Sequence, residues 1–134
     1  MRTRVFLMVA AVAAIAWLST GLRAAREENR ASAIVGDSSL PLGTRANRSS
    51  RLFERARRFN ADTRPILLEA GVLRFVEAQR PRAVRLIRQV LQREPENVYA
   101  WNLLARVTER ADPALAARAR ARVQALSPRV PEAR

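Results

Sequence analysis

Two pairs of closely spaced carboxylates, Glu27 with Glu28 and Glu94 with Glu96, are the groups in this chain that could divide acid and base work between them. Such work needs one carboxyl of a pair to be desolvated, or crowded by like charge, until its pKa moves. Arginines stand near both pairs, and each pair falls on a helix surface or at a corner, so neither setting favours that shift. Ser38, Ser39, Ser49 and Ser50 would need a base to become nucleophiles, and the chain holds neither His nor Lys. The absence of Cys and His also removes thiolate chemistry, disulfides and the usual zinc and haem ligands. No glycine-rich phosphate loop is present. The expectation is a protein that is not an enzyme, with no catalytic, cofactor-binding or metal-binding residues and no cofactor.

What remains is charge. All 25 basic residues are arginine, against 12 acidic ones, for a net charge of +13, which favours contact with anionic lipid, polymer or nucleic acid. Arg48, Arg51, Arg55 and Arg58 recur at helical spacing and form a cationic ridge on a helix expected over 46–59, beside an apolar side of Leu52, Phe53, Ala56 and Phe59. That ridge is either a solvated face or an anionic-surface contact. In the second case four arginines at about 1 kcal/mol each would hold the domain flat against a bilayer. Nucleic acid is the weaker partner, because its grip needs exposed aromatics between the charges, and Tyr99 is the one tyrosine while Phe53 and Phe59 read as buried.

The elements that would position these groups are all helical. Val5 to Leu18 is an uninterrupted apolar run behind Arg2 and Arg4, and continuing to Leu22 it reaches about 27 Å, enough to span a bilayer. A signal peptide opens the same way, with Ser19-Thr20-Gly21 as small residues for cleavage. A retained anchor is the reading adopted, because Leu22 to Val35 continues without a breaker, its weakly apolar face made by Leu22, Ala25, Asn29 and Ala33. Either way the short basic leader stays in the cytoplasm and the rest lies outside, single-pass at a plasma membrane. The chain then divides into an anchor or signal peptide at 1–22, a juxtamembrane helix and loop at 23–45, helical repeats at 46–128 and a flexible tail at 129–134. Gly36 to Gly43 is the loop. A helix capped by Asp62 or Thr63 runs to about Ala78, another opens at Pro81, and Asn97 and Asp112 cap two more.

Period is the remaining signal. Stepping back 34 residues pairs Trp101 with Leu67, Ala105 with Gly71, Val90 with Ala56 and Ile87 with Phe53, with like size and polarity in each pair. Ala83 pairs with Ala116 across a corner one residue shorter, and Pro95 and Pro128 close successive units, with Ala61 in the equivalent earlier place. The Pro-Glu-Asn corner followed by Ala-Trp-x-x-Leu-Ala resembles the junction between two tetratricopeptide repeats. Arg74 and Thr108 depart from that family, which carries large aromatics there, and Arg120 replaces an apolar residue.

The resemblance implies an all-α chain: an N-terminal transmembrane or signal helix followed by a short superhelix of antiparallel helical hairpins, of the small bacterial membrane-anchored type. By analogy, Leu68, Val72 and Phe75 from one repeat and Tyr99, Asn102, Arg106 and Glu109 from the next line a groove for a protein or peptide partner. The implied function is a membrane-anchored interaction or scaffold module assisting an envelope-associated complex. The alternative is an exported basic helical protein binding anionic lipid headgroups, anionic polymer or nucleic acid. So few repeats also leave room for self-association to complete the stack.

Overall fold

The protein is described here by a computed structural model covering residues 2–59 and 62–127, with the side chains of residues 2–7, 9 and 16 left aside. The expectations for Ala61, Pro128 and the tail at 129–134 lie outside the described residues. Among the described residues every regular element is helical: α1 (Arg2–Gly36), α2 (Leu42–Phe59), α3 (Arg64–Leu73), a single 3-10 turn (Glu77–Gln79), α4 (Arg80–Arg93), α5 (Val98–Thr108) and α6 (Pro113–Leu126). The chain divides into two compact units, Met1–Pro65 and Ile66–Arg134. Each has its own packing.

In the first unit α1 runs unbroken for 35 residues, about 52 Å, and α2 for 18, about 27 Å. With no proline between Val5 and Val35, and no breaker after Gly21, one helix forms of what reads as an apolar run and a juxtamembrane segment. A loop from Asp37 to Pro41 turns the chain so that α2 packs back along α1. Asp37 Oδ1 accepts from the Ser39 N–H at 3.0 Å and from the Ser39 hydroxyl, which closes the turn. Those two bonds from Ser39 hold the Asp37 carboxyl below its usual pKa, with the arginines Arg45 and Arg48 acting in the same direction. Arg45 Nη1 donates to the Val35 carbonyl at 3.1 Å, satisfying an end of α1 that has no intrahelical partner.

The two helices meet through small side chains. Ala24 and Ala31 of α1, and Ala46, Ser49, Ser50 and Ala56 of α2, are buried around Phe53, itself 1% exposed. This corrects the expected face of α1. Leu22, Ala25, Asn29 and Ala33 are all exposed, and the side that meets α2 is the one carrying Ala24 and Ala31. On α2 the expected face is half right, since Phe53 and Ala56 are buried while Leu52 is half-buried and Phe59 is exposed. The helix also begins four residues early, at Leu42 and not at Ala46. The Pro41 carbonyl accepts the Arg45 N–H at 3.0 Å, so the proline sits just ahead of the first turn, where its missing donor costs nothing.

α3 opens in the last residues of the first unit, with the Asp62 carboxylate accepting the Arg64 N–H at 3.1 Å, and continues as the first helix of the second unit. It stops at Leu73, five residues short of the expected Ala78. Phe75 and Val76 N–H groups bond to Val72 and Leu73 carbonyls three residues back, a tightening that ends the α-helical ladder and leads into the 3-10 turn. Pro81 stands in the first turn of α4, as expected from its fixed φ. Asn97 accepts the Ala100 N–H at 2.9 Å and Asp112 accepts the Leu115 N–H at 2.9 Å, so both capping assignments hold. The Trp101 indole donates to the Pro95 carbonyl at 2.8 Å and clips the corner from the other side. The core of this unit is aliphatic, with Ile66, Leu67, Ala70, Leu73, Ala83, Ile87, Val90, Leu103, Leu104, Val107, Ala116 and Ala119 buried. Replacing Asn97 by alanine frees the first turn of α5 and the Glu94 contact together. The expected loss is about 1 kcal/mol in urea denaturation, with Gln92→Ala on an exposed face of α4 as the reference.

Equivalent burial along the 34-residue step is mixed. Phe53 and Ile87, Ala56 and Val90, and Ala83 and Ala116 are buried in each pair. Leu67 is buried where Trp101 is only half-buried, and Gly71 is half-buried where Ala105 is buried.

Candidate partner-binding surface

Three surfaces carry the residues singled out in the sequence. The first is the N-terminal half of α1. Every described side chain from Met8 to Leu18 is exposed, among them Met8 at 72%, Ile15 at 67% and Trp17 at 76%, and burial begins only at Ser19 and Thr20. α2 is about half as long as α1, so it covers the C-terminal half and ends where the apolar run begins. Among the described residues no helix is long and apolar enough to cross a membrane. Val5, Phe6, Leu7, Val9 and Ala16, all within the run, fall outside the described side chains.

The second surface is the cationic ridge. Arg48, Arg51, Arg55 and Arg58 are exposed along α2, as their spacing requires. They occupy the side away from Ala46, Ser49, Phe53 and Ala56.

The third lies on the second unit. Asn102, Arg106 and Glu109 of α5 face Arg120, Val123 and Gln124 of α6 across a cleft of about 630 Å³ floored by Ala105. Arg106 Nε donates to Asn102 Oδ1 at 3.0 Å, and Arg120 Nη2 reaches Glu109 Oε1 at 2.5 Å. An adjoining depression of about 260 Å³ brings Phe75 beside Arg106 and Glu109, with the Arg74 guanidinium 4.4 Å above the Phe75 ring. The structure therefore gathers Phe75, Asn102, Arg106 and Glu109. Leu68 and Val72, half-buried on α3, and Tyr99, exposed at the start of α5, line neither hollow. Arg120 is the member that sequence reasoning missed. Arg118, Arg120 and Arg122 read as spread around a cylinder, and nothing local marks which one meets a carboxylate eleven residues earlier.

The pairs that opened the chemistry are engaged elsewhere. Glu27 bonds Arg30 at 3.3 Å, Glu28 bonds Arg64 at 3.0 Å, and Glu94 accepts from Asn97 at 2.6 Å. Ser49 is buried and donates to the Ala46 carbonyl at 3.2 Å. Among the described residues no three of Asp and Glu come together in a way that would hold a metal ion. Compared with protein-family models, with curated proteins and with solved structures, the chain matches none.

Proposed function

We propose that this chain is a membrane-anchored helical interaction module, its second unit a tetratricopeptide-like pair of hairpins that receives a protein or peptide partner. The observation that carries the reading is the uncovered apolar half of α1. A helix that exposes Met8, Val12, Ile15, Trp17 and Leu18 to water carries a cost of roughly 1.5 kcal/mol or more for each large side chain, and a bilayer removes it. The apolar run, taken to Leu22, has the length for this. Arg2, Arg4 and the amino terminus at one end nearly balance Arg23, Arg26 and Arg30 at the other, so the reading of a single pass at a plasma membrane with the second unit on the outer side rests on the order of a short basic start ahead of the first apolar helix. Assistance to an envelope-associated complex follows from the same resemblance.

The cleft of the second unit supports the partner half of the reading. It offers an apolar floor at Ala105 and Val123 between paired polar groups, which suits a segment held by apolar contact and hydrogen bonds together. A photoreactive amino acid in place of Asn102, activated in intact membranes, is expected to give one discrete protein adduct that Arg106→Ala abolishes. The same probe at Ser38, in the loop of the first unit, is expected to give none. Absence of an adduct at position 102, or an equal one at both positions, would remove the groove from the proposal.

A further inference from the structure

The hairpin of the first unit fixes which arginines stand at the base of the apolar segment. Counting equal rises away from the loop, from Gly36 down α1 and from Leu42 down α2, puts Arg55 level with Arg23 and Phe59 level with Ser19. Burial agrees, since Ser19 and Thr20 are the first half-buried positions of α1 and every described side chain before them is exposed. Arg23, Arg55 and Arg58 thus gather within about one and a half turns of the point where the apolar run stops, and Arg51 lies level with Glu27, a further turn away. The carboxylates near this level are already engaged, Glu27 by Arg30, Glu28 by Arg64 and Glu54 by Arg57 at 3.8 Å. Among the described residues none of those three arginines has a carboxylate within ion-pair distance.

Two aromatic residues mark the same level. Trp17 is 76% exposed and Phe59 40% exposed; the amphipathic indole suits the layer between hydrocarbon and headgroup, and the Phe59 ring adds apolar surface at that height. We infer that this end of the hairpin is a collar that binds the phosphates of anionic phospholipids, an inference that rests on the anchoring proposed above. Long arginine stems lie along the apolar rim while the guanidinium groups reach the phosphate layer, each able to bond two oxygens. The collar also sets posture. Arg48 stands ten residues above Arg58 on a straight helix, about 15 Å farther from the bilayer and beyond a Debye length at physiological salt. The ridge therefore splits into a membrane-facing half, Arg55 and Arg58, and a solvent-facing half, Arg48 and Arg51. The flat posture that would use all four is incompatible with α2 packed along an unbroken α1 that enters the bilayer.

The test uses the full chain carrying Trp101→Phe, so that Trp17 is its one indole, reconstituted in phosphatidylcholine vesicles with or without phosphatidylglycerol. Quenching of Trp17 by brominated phosphatidylcholine reports insertion alone. Quenching by brominated phosphatidylglycerol relative to it reports lipid preference. The expected result is a preference for the anionic lipid that Arg55→Glu with Arg58→Glu reduces about tenfold, while Arg48→Glu with Arg51→Glu retains it. Helical circular dichroism is expected to stay unchanged in both, since all four side chains are exposed. No quenching by either lipid would overturn the anchor, and the collar with it. Insertion without anionic preference, or equal loss in the two double variants, would overturn the collar and leave the anchor standing.

Discussion

Arginine in place of Val12 is expected to release most of the chain from membranes into the soluble fraction. Val12 lies near the middle of the run from Val5 to Leu22, and a charged side chain at the centre of a spanning helix opposes insertion by about 3 kcal/mol, roughly two powers of ten in the insertion equilibrium. The run has no surplus length with which to slide the charge toward an interface. Five of its 18 residues are alanine and three more are Ser19, Thr20 and Gly21, so the favourable side of the balance is modest. The hairpin should be untouched, since Val12 is 67% exposed, lies ahead of the α2 contact, and arginine is a good helix former. Alkaline extraction of membranes followed by detection of the chain measures the split. Ser38→Arg, the same added charge placed in the loop, is the reference and is expected to remain in the membrane pellet. Retention of Val12→Arg at the level of that reference would mean that α1 buries its apolar half against something other than lipid.

Local signals were the legible part of this sequence. The Asn97 and Asp112 caps, the prolines in first turns and the helical spacing of Arg48, Arg51, Arg55 and Arg58 each depend on residues within one turn of each other, and each is found where expected. The unbroken α1 was legible for the same reason. Choices made between helices were hidden. Ala24 and Ala31 carry no hydropathic emphasis over Leu22 or Ala25, and only the side on which α2 packs distinguishes them. The end of α3 shifted because a 3-10 tightening over Val72 to Val76 leaves no mark in composition. The cleft shows the same limit from the functional side. Asn102, Arg106 and Glu109 share one face of α5 and could be read off by periodicity, whereas Arg120 joins them only through the packing of α6 on α5.

Removing Arg82 should cost the second unit about 3 kcal/mol, more than any exposed arginine. Glu69 is 0% exposed on α3, and Arg82, from the first turn of α4, reaches its carboxylate at 2.7 Å. A buried carboxylate that loses its cation stays desolvated without the compensating charge, and this term outweighs the modest net worth of the pair itself. Arg82 is 38% exposed and Glu69 has further contacts, so the expected loss sits at the lower end of the range for such deletions. The same two places one hairpin later are instructive. Thirty-four residues on from Glu69 stands Leu103, which is buried, and on the shorter step that relates Ala83 to Ala116, Arg82 corresponds to Leu115, which is half-buried. Where the first hairpin carries an ion pair, the positions one step on carry two leucines. A buried ion pair can often be replaced by apolar residues at little net cost, so Glu69→Leu with Arg82→Leu together should be close to neutral although Arg82→Ala alone is damaging. Urea denaturation of the full chain in detergent, followed by Trp101 fluorescence in a Trp17→Phe background, measures all three, with Arg88→Ala on the exposed side of α4 as the reference. A single variant no worse than Arg88→Ala, or a double variant as damaged as the single, would mean that the two hairpins do not use equivalent positions to close.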